Sequence, residues 1–396
     1  MKAVIVNADW EPRDGYAVTE HENETHRATD GNKTWRNPVW SVEDVPVPQI
    51  AAPDEVLLRV RAAGMCGSDV HMYETDDDGY IMLAYRTRFP VVLGHEFCGE
   101  VVEVGSGVTR LRVGEAVAVE EITWCGHCRN CQRGLLNQCV NAEDYGLTLD
   151  GGFAEYVVVK ERYCWSLDAI RERYDDDKAY RIGALTEPTS VAYEGLFVRA
   201  GGFQPGSPVA VFGCGPVGLA SVQLARAAGA SKVIAIDTQE NRREIAQRSG
   251  ADVVLDPAAL ETAGTSVAEQ ILLETRGEGV AMAVEASGYH QGVFPQIENS
   301  LDAAGKVVIL GMDAKPAPLT TGKYQMLAGR LFGSVGHCGG PFGKTIALHA
   351  AGRIDMTSVI TSQFDISDGV RAVEQTSRRV DAKVLIRPDG SVAPRA

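Results

Sequence analysis

The chain has 396 residues, 45% hydrophobic and 23% charged, the proportions of a folded globular protein and not of a disordered or fibrous one. Thirty-eight Lys and Arg against 53 Asp and Glu leave a net charge of −15, which argues against nucleic acid and anionic lipid as partners, since both are bound through Lys and Arg. No apolar run reaches the ~20 residues that cross a bilayer, and the N-terminus lacks the basic and apolar regions of a secretory leader, so a cytoplasmic protein with no membrane contact is expected.

In chain order, residues 1–10 read as a strand, and the polar stretch 11–36 as an irregular insertion. From Trp40 short alternating segments follow (40–48, 55–66, 99–108, 114–122), separated by Gly and Pro, the pattern of a strand-rich domain with sharp corners. The acidic runs Glu74–Tyr80 and Asp175–Asp177 read as solvated loops. After about Gly202 the texture changes to near-continuous Val/Ile/Ala runs alternating with helical segments, which is how a parallel sheet buried on both faces is written. The expected division is a β-rich domain over 1–200, an α/β domain over 201–338, and a C-terminal segment, 339–396, that returns to the first domain.

Nine cysteines, an odd number, do not suit a disulfide framework in a cytosolic chain. Four cluster as Cys125-x2-Cys128-x2-Cys131-x7-Cys139. Four thiolates at this spacing suit a tetrahedral zinc ion closed to substrate, hence structural. The bacterial iron–sulfur spacing closes with x3-Cys-Pro, whereas here the fourth cysteine comes later and Val140 follows it.

Gly213-x-Gly215-x-x-Gly218, with Pro216 and Val217 between its last two glycines, follows the apolar run Val209–Phe212 and opens a helix near Val217, the context that makes this spacing a dinucleotide fingerprint. The first glycine turns the chain, the second admits the pyrophosphate, and the third lets helix and strand pack. Asp237, nineteen residues past Gly218, ends the next strand. A carboxylate there accepts ribose hydroxyls and repels a 2′-phosphate, favouring NAD over NADP; Arg242 and Arg243 would moderate that repulsion. Cys66, His95, Glu96 and Glu187 complete the candidates, each unremarkable singly.

CGSDVH, GHEFCGEVVEVG, the cysteine lobe, EPTSVAYEG, GCGPVG and EASG occur in this order, and in that series the chain resembles the zinc-containing medium-chain dehydrogenases over nearly its whole length. The branch it resembles is that of sorbitol and threonine dehydrogenases and, through its insertions, a subgroup that oxidises cyclitols such as inososes. The resemblance implies a GroES-like catalytic domain with a doubly wound Rossmann domain and an active site in the cleft between them. It implies that Cys66, His95 and Glu96 ligate a catalytic zinc, with Glu187 ligating directly or holding its water. Ser68 would pass on the substrate proton and His71 release it to solvent. The implied reaction is hydride transfer between NAD and a secondary alcohol or ketone of a polyol or cyclitol, with two zinc ions per chain. The alternatives are threonine or sorbitol oxidation and, from another class, a catalytically idle NAD-binding protein. A homo-oligomer is implied, tetramer before dimer.

Overall fold

The computed structural model describes residues 1–313 and 315–392; the last four residues of the expected C-terminal segment lie outside them. Contacts divide the chain into two units, one of Met1–Glu187, Cys338–Ala350 and Ile360 onward, the other of Pro188–His337 and Ala351–Val359. Residues 188–200 and 351–359 thus group with the second unit, where sequence texture had put them outside it.

The first unit is built on the strand Glu55–Gly64, whose near-unbroken apolar run is buried on both faces. It pairs antiparallel with Glu96–Val104 and with Tyr156–Lys160, and its end meets Lys383–Arg387 from the C-terminal segment. The seven-stranded sheet continues through Ile360–Asp365 at one side and through Ala116–Val119 and Cys164–Ser166 at the other. An irregularity between Val60 and Ala62 turns the strand, as bulges do beside functional sites. Val60 therefore faces one apolar cluster, while Ala62 and Cys98 face another with Ile182 and Leu385.

A smaller sheet joins Lys2–Trp10 to Trp35–Asp44 and Val91–Val92. The stretch between its first two strands is not wholly irregular, as the sequence reading had it. Thr19 and Glu22 form a reciprocal capping box that starts the helix Glu20–Thr25. Glu22 also accepts the Tyr16 hydroxyl at 3.0 Å and the Thr29 amide at 2.8 Å. Burial opposes its charge, yet these hydrogen bonds win and bring its pKa down to about 2. Trp10 stacks on His26, and Trp35 meets Trp10 and Phe89 edge-on, which ties the insertion to the domain.

The two acidic runs are structured as well. Asp76 accepts the amides of Asp78 and Tyr80 and pairs with Arg13, whose guanidinium lies 3.8 Å over the Tyr80 ring. Asp175 accepts the Lys178 amide at 2.8 Å and so opens the helix Asp176–Tyr193, a start signal of the Asp-cap kind where a loop was expected.

The second unit is a six-stranded parallel sheet: Val253–Leu255, Lys232–Ile236, Pro208–Phe212, Val280–Glu285, Leu301–Ile309 and Arg330–Gly333, side by side in that order. Numbered along the chain the order is 3-2-1-4-5-6, the doubly wound dinucleotide fold, with a crevice beyond the carboxyl ends where the order reverses. Phe212, Ile236 and Glu285 end their strands at that edge and carry the next residues, Gly213, Asp237 and Ala286, into it. No helix among the described residues is long and apolar enough to cross a membrane.

Candidate metal centres and dinucleotide site

The chain leaves its central strand at Gly64 and enters the helix Gly67–Tyr73 with Cys66 as N-cap. Asp69 accepts the Cys66 amide at 2.8 Å while the Cys66 sulfur takes the Asp69 amide, a capping box with a thiol in the hydroxyl's place. Across the antiparallel pair Gly64 faces Glu96, which brings His95 and Glu96 alongside Cys66. One ligand atom from each of Cys66, His95 and Glu96 lies within 4.8 Å of the others.

Asp69 does a second job. Its Oδ1 stands 3.6 Å from Nδ1 of His95, so Nε2 is turned toward the centre, as a carboxylate behind a ligating histidine arranges. Ser68 Oγ lies 3.3 Å from that Nε2. Burial disfavours a charged imidazole, but Asp69 and the Cys66 thiol outweigh it and hold the His95 pKa well above its ordinary value. A pocket that grips a proton so firmly would equally attract a metal cation. One sulfur, one nitrogen and one oxygen donor make a borderline-soft set that suits zinc and leaves a fourth position open.

His71 sits one turn along the same helix, its side chain 37% exposed, with Nδ1 3.9 Å from Glu74. Burial first, then Arg379, lowers its pKa, so it stays neutral and able to accept a proton near pH 7. Glu187, buried on the helix Asp176–Tyr193, does not join the Cys66 group; its carboxylate is instead within 4.8 Å of that of Glu121.

The other four cysteines converge in a turn of Gly126 at φ +81° and the short helix Arg129–Gln132. Their sulfurs are 3.6 Å (Cys125–Cys139), 3.9 Å (Cys128–Cys139) and 4.0 Å (Cys125–Cys131) apart. A tetrahedron with zinc–sulfur bonds of ~2.3 Å has edges of ~3.8 Å, so the donors fit the ion. Amides of Cys128, Cys131 and Asn141 point at the sulfurs of Cys125, Cys128 and Cys139. Hydrogen bonding, from the His127 amide above all, brings the Cys125 thiol down to about 5, the thiolate a metal needs.

In the second unit the three glycines divide their work as the fingerprint requires. Gly213 turns at φ +92°, and a Cβ on it would come within 2.7 Å of Ser287. A Cβ on Gly218 would overlap the Gly213 carbonyl. Gly215 caps the helix Pro216–Ala227, and a Cβ there would meet nothing within 4 Å: the helix N-terminus opens onto free space, as an anion site must. Asp237 accepts the Cys214 amide at 2.7 Å and the Gln239 amide at 2.8 Å, which fixes it beside the glycine turn with lone pairs to spare. Arg243 is committed elsewhere, donating to the Asp237 and Thr238 carbonyls and pairing with Asp256. Arg242 acts electrostatically on the Cys214 thiol.

Three residues at these sites escaped the sequence reading. Asp69 carried a signal, since Cys66-x-x-Asp69 has capping-box spacing. Glu121 and Lys383, which forms an ion pair with Glu96, carried none.

A fold of this kind with such donor sets defines a class. Residues 52–169 match the alcohol dehydrogenase GroES-like domain and residues 216–348 the zinc-binding dehydrogenase domain; the chain belongs to the zinc-dependent medium-chain dehydrogenase family and is an oxidoreductase acting on CH–OH groups. Among its relatives, scyllo-inosose 3-dehydrogenase of Thermotoga maritima is 42% identical over 93% of this chain and 94% of its own. D-xylulose reductase A of Aspergillus niger is 36% identical over 87% and 92%. A solved Thermotoga maritima structure described as an alcohol dehydrogenase superposes with a TM-score of 0.93 at 40% identity, covering 98% of this chain and 99% of that one.

Proposed function

We propose that this chain is an NAD-dependent dehydrogenase of a cyclitol, oxidising a secondary ring hydroxyl or reducing the corresponding inosose. What carries the reading is the convergence of Cys66, His95 and Glu96 in a chain 42% identical, nearly end to end, to a scyllo-inosose 3-dehydrogenase. Cys66, His95 and Glu96 would hold a catalytic zinc, with Glu187, which stands outside that group, supporting it through water, and the four-cysteine lobe a second, structural one. When bound, zinc supplies the Lewis acidity that lets an alcohol release its proton at neutral pH, and NAD supplies the hydride acceptor.

The protein's own groups do the rest. Asp69 fixes the His95 ring, and the Ser68 hydroxyl beside it receives the substrate proton. His71, kept neutral by burial and Arg379, takes the proton on and releases it to water. Gly213, Gly215, Pro216, Val217 and Gly218 would hold the pyrophosphate at the helix N-terminus, while Asp237 would accept the ribose hydroxyls and disfavour NADP. Arg242 would complete the cofactor contacts. The same reading makes the protein a cytoplasmic homo-oligomer, tetramer before dimer.

The likeness to D-xylulose reductase A favours a second reading, an acyclic polyol such as sorbitol. Initial rates with NAD and either myo-inositol or scyllo-inosose, set against sorbitol and L-threonine with NAD, decide between them. Turnover of the cyclitol pair above the others is expected; inactivity with both cyclitols removes the first reading.

A further inference from the structure

Lys383 opens the strand Lys383–Arg387 with a side chain exposed by 0%, and it forms an ion pair with Glu96, itself 1% exposed. Its Nζ also donates to the Met65 carbonyl at 2.8 Å. The next residue, Val384, accepts the Met65 amide at 2.9 Å, so this strand grips the residue before Cys66 through both main chain and side chain. Gly64 leaves room for the arrangement: a Cβ there would run into the Glu96 carboxylate and stand 3.0 Å from Lys383 Cε. A buried charge must be paired or neutralised, and the partner of Lys383 is the one carboxylate of the Cys66–His95–Glu96 group.

We propose that Lys383 is a positioning residue that competes with the catalytic metal for Glu96, so that this acid alternates between ligand and counter-ion. The proposal rests on the reading that Cys66, His95 and Glu96 hold zinc. Two cations then share one buried anion, and each weakens the other's hold on it. Such coupling is strong, because charges a few ångströms apart in a protein interior interact far more than in water. Take the lysine away and Glu96 has only the metal to satisfy it. The metal is then gripped harder, and the metal-free protein is left with an unpaired buried carboxylate.

The test is zinc release from the holoenzyme to a chromogenic chelator, compared in wild type, Lys383→Met, Lys383→Arg and Cys66→Ala. The release phase missing from Cys66→Ala reports this centre; if no phase is missing, the zinc reading itself fails. Lys383→Met is expected to slow that phase at least about tenfold, with Lys383→Arg near wild type because the cation is retained. Lys383→Met should also widen the gap in unfolding temperature between zinc-loaded and zinc-free protein, which a purely structural lysine would not do. A phase that is unchanged or faster in folded, zinc-loaded Lys383→Met overturns the proposal. Should Lys383→Met not fold, Lys383→Gln takes its place in the same comparison.

Discussion

Replacing Gly215 by Val separates cofactor binding from folding. Gly215 has φ −71° and ψ −177°, backbone that any residue adopts, and no atom lies within 4 Å of where its Cβ would be. The folded protein should lose no more than about 1 kcal/mol, the difference between a good and a poor helix N-cap. The isopropyl group would instead occupy the space assigned to the pyrophosphate. Forcing extra methyl groups into a fitted contact costs about 1–3 kcal/mol, so NADH should bind roughly 5- to 150-fold more weakly. Gly213→Ala is the contrast. It forces a side chain into a left-handed turn at φ +92° and within 2.7 Å of Ser287. The conformation alone costs about 1–2 kcal/mol and the crowding about 1–3 more, so this variant should unfold early. NADH fluorescence titration beside thermal unfolding reads both quantities. Gly215→Val with undiminished NADH affinity, or with a stability loss as large as that of Gly213→Ala, would refute the assignment of this turn to the dinucleotide.

Two further outcomes follow from the titrating groups. Glu22 has a folded pKa of about 2, below its unfolded value of ~4.3, so it contributes stability that is fully present above pH ~4.3 and is lost as pH falls toward 2. Glu22→Gln should cost about 1–3 kcal/mol at neutral pH, and denaturant melts of the two proteins should converge as the pH is lowered through that window; a constant difference would count against the ionised carboxylate. Arg379→Gln removes a cation that keeps His71 below its ordinary pKa and frees Glu74 from its bond to Arg379. Both changes raise the His71 pKa, so the acid limb of the kcat/KM profile, below 6.5 in wild type, should move to higher pH; a limb that stays put would remove His71 from the proton route.

How much of this could be read beforehand depended on the distance over which a signal acts. The glycine turn and the cysteine lobe are local, each within about two dozen residues, and their spacing carries their geometry. Cys66 and His95 were legible because each sits at a strand end within a distinctive short motif. Asp69 was hidden by serving as a helix cap and as the partner of His95 at once. Lys383 lay beyond reach, since it meets Met65 across 318 residues of chain, and only the pairing of the C-terminal strand with Glu55–Gly64 brings them together. The helices Glu20–Thr25 and Asp176–Tyr193 were passed over because their polar first turns read as loop; in Thr19-x-x-Glu22 the capping box was present in the sequence. Glu187 and Glu121 come together through tertiary packing that no spacing encodes.

The zinc content of purified, folded wild type and Cys66→Ala, measured alongside NAD-dependent turnover, bears most directly on the catalytic centre. The expected result is two zinc ions per chain in wild type, and one, with no turnover, in a Cys66→Ala protein that still binds NADH. A single zinc ion in both proteins, or turnover that survives the loss of Cys66, would contradict a metal held by Cys66, His95 and Glu96.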